Sequence, residues 1–233
     1  MSKLRDMRRL KEKITIFVGN IGSGKTELAI NYALRLKEEH DRVGIVDLDI
    51  VNPYFRTRVF RDYLEQNGLK VVAPAGELAG ADVPALPSAI LGILEDEGIK
   101  GVLDVGGDEI GATALGRFKP YLPNGSYEML FVVNTCRPFT RTVEGIMQVL
   151  KSVEKASRLE ATGLVSNTNL GSGTDIATIE AGHSIVTEAA SRLNVPVAFM
   201  AVRNELAAEL AQRLPRENLF PLKLHVLPPW LRG

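Results

Sequence analysis

Seven short apolar runs recur along the chain, and segments of helical period stand between several of them. The runs are "ITIFVG" (14–19), "VGIVDLDI" (43–50), "VVAPAG" (71–76), "GVLDVGG" (101–107), "MLFVVN" (129–134), "TGLVSN" (162–167) and "PVAFMAV" (196–202). Strands that are apolar on both faces and alternate with helices predict an α/β fold: a three-layer sandwich whose mostly parallel central sheet is flanked by helices. In "KTELAINYALRLKEEH" (25–40), Leu28, Ala29, Tyr32, Ala33 and Leu36 recur at helix spacing, and 142–157 and 175–193 read as helices too. The stretch 51–100 is less regular, with Pro74, Pro84 and Pro87 interrupting it, and 117–127 ("RFKPYLPNGSY") reads as a loop. Without an internal repeat, low-complexity tract or linker, a single domain over 1–233 is expected.

The first apolar run leads directly into "GNIGSGKT", in which Gly19, Gly24, Lys25 and Thr26 satisfy G-x-x-x-x-G-K-[ST]. Glycines let such a loop turn tightly, so that successive N–H groups face phosphate oxygens. The lysine adds a cation for the outer phosphates, and the hydroxyl suits Mg²⁺. A helix starting at Lys25 would aim its positive dipole end at the same anion. The expected nucleotide cradle is therefore Gly19, Asn20, Ile21, Gly22, Ser23, Gly24, Lys25, Thr26 and Glu27. A glycine-rich turn with an incidental lysine is the plainer alternative. A dinucleotide fingerprint does not fit, because Gly19, Gly22 and Gly24 lack the G-x-G-x-x-G spacing.

Acidic partners for the metal stand at the ends of two later runs. Asp104 closes an apolar strand in "GVLDVGGDEIG", where a Walker B carboxylate belongs. Asp104 to Gly107 also spells D-x-x-G, which is either a strand-end turn or a place where the glycine amide can reach a γ-phosphate, while Asp108 and Glu109 either position a water or cap a helix. In "DLDIVNPYFR" (47–56), Asp47 and Asp49 sit at i and i+2, on one side of a strand, and repel unless a cation or hydrogen bonds compensate. They are either Mg²⁺ partners or a solvated strand end. Arg56 and Arg58 either meet anionic charge or are surface residues. The candidate catalytic residues are Lys25, Asp49 and Asp104, and the candidate Mg²⁺ ligands are Thr26, Asp49 and Asp104.

Charge narrows the partners. Lys+Arg and Asp+Glu both total 28, which argues against bulk nucleic-acid binding. One cysteine, Cys136, allows neither an internal disulfide nor a cysteine metal cluster within one chain. "MSKLRDMRRLKEK" lacks the apolar run of a signal peptide, and no stretch reaches the ~20 apolar residues of a membrane span, so a cytoplasmic location is expected.

"GNIGSGKTEL", "VDLDIVNPYFR" and "VLDVGGDEIGA", in this order and spacing, resemble the MinD/ParA/CobQ/CobB group of P-loop nucleotide-binding proteins, which are SIMIBI-type NTPases. The resemblance spans roughly residues 12 to 215, although its specific motifs occupy three short stretches. It implies Mg-ATP binding and, often, a homodimer with the nucleotide near its interface. By the same likeness, Asp49 contacts Mg²⁺ or activates the attacking water, and Asn167 in "LVSNTNLG" reads the base. MinD and ParA proteins carry a lysine after the first loop glycine, where this chain has Asn20; the substitution argues against a nucleotide sandwiched between two copies. The loop is closer in form to that of the nickel metallochaperone GTPases. The guanine-reading N-K-x-D is replaced by "NTNL", however, and His40, His183, His225 and Cys136 are dispersed.

ATP with Mg²⁺ is thus expected, GTP less so. A nucleotide-hydrolysing switch is the leading function. The alternatives are an ATP-dependent kinase or ligase acting on a small or polynucleotide substrate, a metallochaperone-like GTPase, and a nucleotide-sensing module without turnover. The closing segment "LHVLPPWLRG" either docks back on the domain or forms a partner patch.

Overall fold

In the computed structural model, residues 12–48, 60–73, 85–107 and 109–225 are described. β-Branched and aromatic runs give strands buried on both faces, as in β1 (Ile14–Val18), where all five residues are buried. In chain order there follow α1 (Lys25–Glu39), β2 (Val43–Leu48), α2 (Arg61–Gln66), β3 (Lys70–Val72), α3 (Ala85–Leu94) and β4 (Lys100–Val105). Then come α4 (Glu109–Gly116), β5 (Tyr127–Val133), α5 (Val143–Ser157), β6 (Gly163–Ser166), α6 (Ile176–Leu193), β7 (Val197–Arg203), α7 (Asn204–Arg213) and β8 (Leu219–Leu222). The eight strands form one sheet in the order β3-β2-β4-β1-β5-β6-β7-β8, and every pairing is parallel.

Helices cover both faces. Leu28, Ala29, Tyr32 and Ala33 of α1, with Leu64 of α2, pack on Phe17, Ile45, Val102 and Leu130. Across the sheet, α3, α4, α5 and α6 send Ile93, Leu115, Ile146 and Val186 onto Ile16, Leu103 and Phe131. Beyond them, α7 adds Leu210 to a smaller cluster with Met200 and Ile179. Tyr32 meets the edge of the Phe17 ring at a centroid distance of 5.4 Å, which fixes α1 beneath β1.

Side chains set the starts of the two longest later helices. Thr142 accepts from the Gly145 amide ahead of α5, and Asp175 from the Thr178 amide ahead of α6. The expected loop 117–127 contains a single 3-10 turn at Lys119–Tyr121 and gives way to β5 at Tyr127. The eighth strand, β8, is an addition to the sequence reading, and it carries Pro221. Among the described residues, no helix is long and apolar enough to cross a membrane.

Strand order positions the site. The connection from β4 to β5 passes over β1, and α1 and α4 leave neighbouring strands toward opposite faces. A crevice at the carboxyl ends of β1, β4 and β5 follows, the place where open α/β sheets hold ligands.

Candidate nucleotide site

The loop after β1 makes a tight turn of the kind its glycines predict. Gly19 and Gly24 have φ of 150° and 91°, a region where a side chain would be strained. Gly19 also packs against β5, since a β-carbon there would come within 2.5 Å of the Val132 carbonyl oxygen. The Ser23 amide donates to the Asn20 carbonyl at 3.1 Å, closing the turn. Gly24 then serves as N-cap of α1 without any side-chain cap, so the first-turn amides of this helix face the loop.

Lys25 opens α1 and is 6% exposed, with Nζ donating to the Asn20 carbonyl at 3.1 Å. A β-carbon built on Gly107 would lie 2.8 Å from that Nζ and 2.7 Å from the Ile21 backbone nitrogen. The loop lysine, a loop amide and the glycine of D-x-x-G therefore converge on one point.

Asp104 is fully buried at the end of β4, in register with Phe17 of β1 and with Asp47 of β2. Alternation from Val102 and Ile45 places both carboxylates on the α1 face of the sheet. Two buried carboxylates side by side on the face that α1 covers offer hard oxygen donors of the kind that suits Mg²⁺. Across the sheet, the neighbour of Asp47 is Asp104. Asp49, Arg56, Arg58 and Asp108 lie outside the described residues. Glu109 is exposed as the first residue of α4.

If Asp104 helps to hold Mg²⁺, Asp104→Asn should weaken Mg-dependent nucleotide binding roughly tenfold while sparing binding in EDTA. Calorimetry under both conditions measures this, and equal losses would make the carboxylate a structural group.

Three side chains brace the loop from the β5 and β6 ends, and two of them, Arg137 and Asn134, no motif announced. Arg137 Nε donates to the Gly22 carbonyl at 2.9 Å. Asn134, fully buried, accepts from the Cys136 and Asn169 amides at 3.0 and 3.2 Å and donates to the Asn169 carbonyl at 3.0 Å. Asn167 Nδ2 donates to the Ser23 carbonyl at 2.7 Å, and the residue is 4% exposed. The amide expected to read a base thus makes a contact that holds the loop. Thr135 and Thr168 join the same two strand ends through a 2.9 Å hydroxyl contact.

Glu27, placed in the cradle by its sequence position, directs its carboxylate elsewhere. Oε1 accepts from Asn31 Nδ2 at 3.0 Å and from the His225 amide at 2.8 Å. Asn31 in turn exchanges two 2.9 Å hydrogen bonds with the Lys223 backbone, tying α1 to the chain just after β8. The His225 ring lies tilted by 42° against that of Tyr63 at a centroid distance of 5.4 Å, and burial, then the Lys223 charge, hold its pKa below the ordinary value. Residues 226–233 of the closing segment lie outside the described residues.

No protein-family model and no curated protein matches the sequence. Solved structures do match. The chain is similar to the cell division protein FtsY of Thermotoga maritima at TM-score 0.57 and 21% identity, over 83% of this chain and 62% of that one. The signal recognition particle receptor FtsY of Elizabethkingia anophelis, in complex with GDP, matches at TM-score 0.56 and 20% identity, over 82% and 58%. The 54 kDa signal recognition particle protein of Aeropyrum pernix K1, also with GDP, matches at 0.55 and 15%, over 84% and 43%. The chain spans less than two thirds of each of these proteins. What it shares with them is the three-layer α/β fold of P-loop NTPases.

Proposed function

We propose that this chain binds a Mg²⁺-nucleoside triphosphate at the β1–α1 loop and hydrolyses it, acting as a nucleotide switch. One observation carries the reading: Lys25 Nζ, the Ile21 amide and Gly107 meet at a single point, where the outermost phosphate of a nucleotide on the α1 terminus would lie. A phosphate arriving there would have to enter between Gly107 and the loop, so its arrival and loss would shift the segment that Gly107 leads. The fold likeness supports the SIMIBI class. The finer kinship with MinD, ParA, CobQ and CobB rests on the three motifs.

When bound, Mg²⁺ would neutralise charge on the outer phosphates. Thr26 and Asp104 would hold it, with Asp49 as the further acidic residue. Lys25 would bind the β- and γ-phosphates, and the loop amides from Gly22 to Thr26 would orient the chain of phosphates for in-line attack. Phosphate release from Mg-ATP tests the reading. Turnover by the wild-type chain without a second substrate is expected; release only with an added hydroxyl compound or metabolite would replace the switch by a transferase or ligase.

The base proposed is adenine. At the β6 end, "NTNL" contains no carboxylate, whereas guanine recognition usually calls on one to accept from N1 and N2. ATP should outcompete GTP at least several-fold in a displacement assay. The two signal recognition particle proteins described above hold GDP, and a preference for GTP here would align this chain with them.

A further inference from the structure

We infer that Arg137 contacts the outermost phosphate of the bound triphosphate, supplying from the β5–α5 connection a second cation that the loop itself lacks. The inference rests on the proposed nucleotide site. Asn20 is uncharged, so the loop 19–26 carries Lys25 as its one cationic side chain. Among the described residues, Arg137 is the cation from outside the loop that hydrogen-bonds it. Its guanidinium lies over Gly22: a β-carbon there would stand 3.0 Å from Nε and 3.3 Å from Cζ.

The arginine is held in place before any ligand arrives. Its amide donates to the Asn134 carbonyl at 3.1 Å, and its own carbonyl accepts from the Thr140 amide at 3.1 Å. The Thr140 hydroxyl donates to the same Asn134 carbonyl at 2.7 Å, beneath a fully buried Asn134. Pro138 stiffens the next position. One guanidinium donor, Nε, is used on Gly22, which leaves the two Nη groups and the full charge at the exposed rim of the loop. Among the described residues, no carboxylate forms an ion pair with them. A planar fork with a fixed base suits a phosphate bearing two free oxygens, and fixing it beforehand reduces the ordering cost of binding.

A guanidinium that merely braced the loop would serve triphosphate and diphosphate alike. Calorimetry of wild-type chain, Arg137→Ala and Arg137→Lys with Mg-ADP and a Mg-bound non-hydrolysable ATP analogue separates the two roles. Arg137→Ala should lose roughly ten- to hundredfold in triphosphate affinity. Its diphosphate affinity should stay within about threefold, since that ligand lacks the phosphate concerned. Arg137→Lys keeps the charge without the fork and should recover part of the loss. Equal losses for both nucleotides, or none, would overturn the inference while leaving the site intact. A wild-type chain that binds neither nucleotide would overturn the site and the inference together.

Discussion

Lys25→Ala should lose Mg-ATP affinity on the order of 10²-fold or more while the fold is retained. Lys25 is 6% exposed at the first position of α1, its ammonium pinned to the Asn20 carbonyl and against Gly107. Burying it costs desolvation that a phosphate anion offsets, and removing it takes away the one cation of the loop itself, which the amide dipoles, Mg²⁺ and the guanidinium at the rim do not replace in a partly dry crevice. The amides of the loop and the uncapped α1 terminus remain, so some attraction for anions persists. Because alanine is also the best helix former, α1 itself should not suffer. Calorimetry of folded variant and wild-type chain measures the effect. Micromolar affinity retained by Lys25→Ala would sink the phosphate-loop reading, whatever the rest of the geometry suggests.

Local chemistry explains what the sequence made legible. Each of the seven apolar runs contributes a strand, because residues buried on both faces leave a run that needs no partner to be recognised. β8 escaped because "LFPL" is short and contains Pro221. Its place at the sheet edge, paired to β7 alone, is where a missing N–H is tolerated. The loop residues and Gly107 lie together, and backbone turns and a strand end specify each of them over a few residues. Contacts across long separations were not legible. Arg137 and Gly22 are 115 residues apart, and Asn167 and Ser23 are 144 apart; neither pair has a spacing rule. The Asp47–Asp104 pairing depends on β4 lying between β2 and β1, and strand order has no signature in a single sequence. Glu27 stands in the motif at the first turn of α1, and the contact of its carboxylate with the chain beyond β8, 198 residues away, has no spacing rule either.

Gly107→Ala should leave the sheet folded and lower turnover on the order of 10²-fold or more. The added methyl would lie 2.7 Å from the Ile21 nitrogen, 2.8 Å from Lys25 Nζ and 2.9 Å from the Asn20 carbonyl carbon. Lys25 is flexible and can yield, but the other two atoms are backbone, so the loop or the segment after β4 has to shift. Overpacking of this kind costs typically 1–3 kcal/mol, which a sheet of eight parallel strands tolerates. The cradle is less forgiving. Its amides and Lys25 act only at hydrogen-bond distance, and a displacement of an ångström removes the alignment that in-line attack needs. Diphosphate binding should fall less than triphosphate binding, because the methyl intrudes where the outermost phosphate meets Gly107 rather than along the α1 terminus. Phosphate release at saturating Mg-ATP, with wild-type turnover established first, reads the effect. Unchanged release would mean that Gly107 packs against the loop only as filler, and the switch would have to reside in the stretch around Asp49.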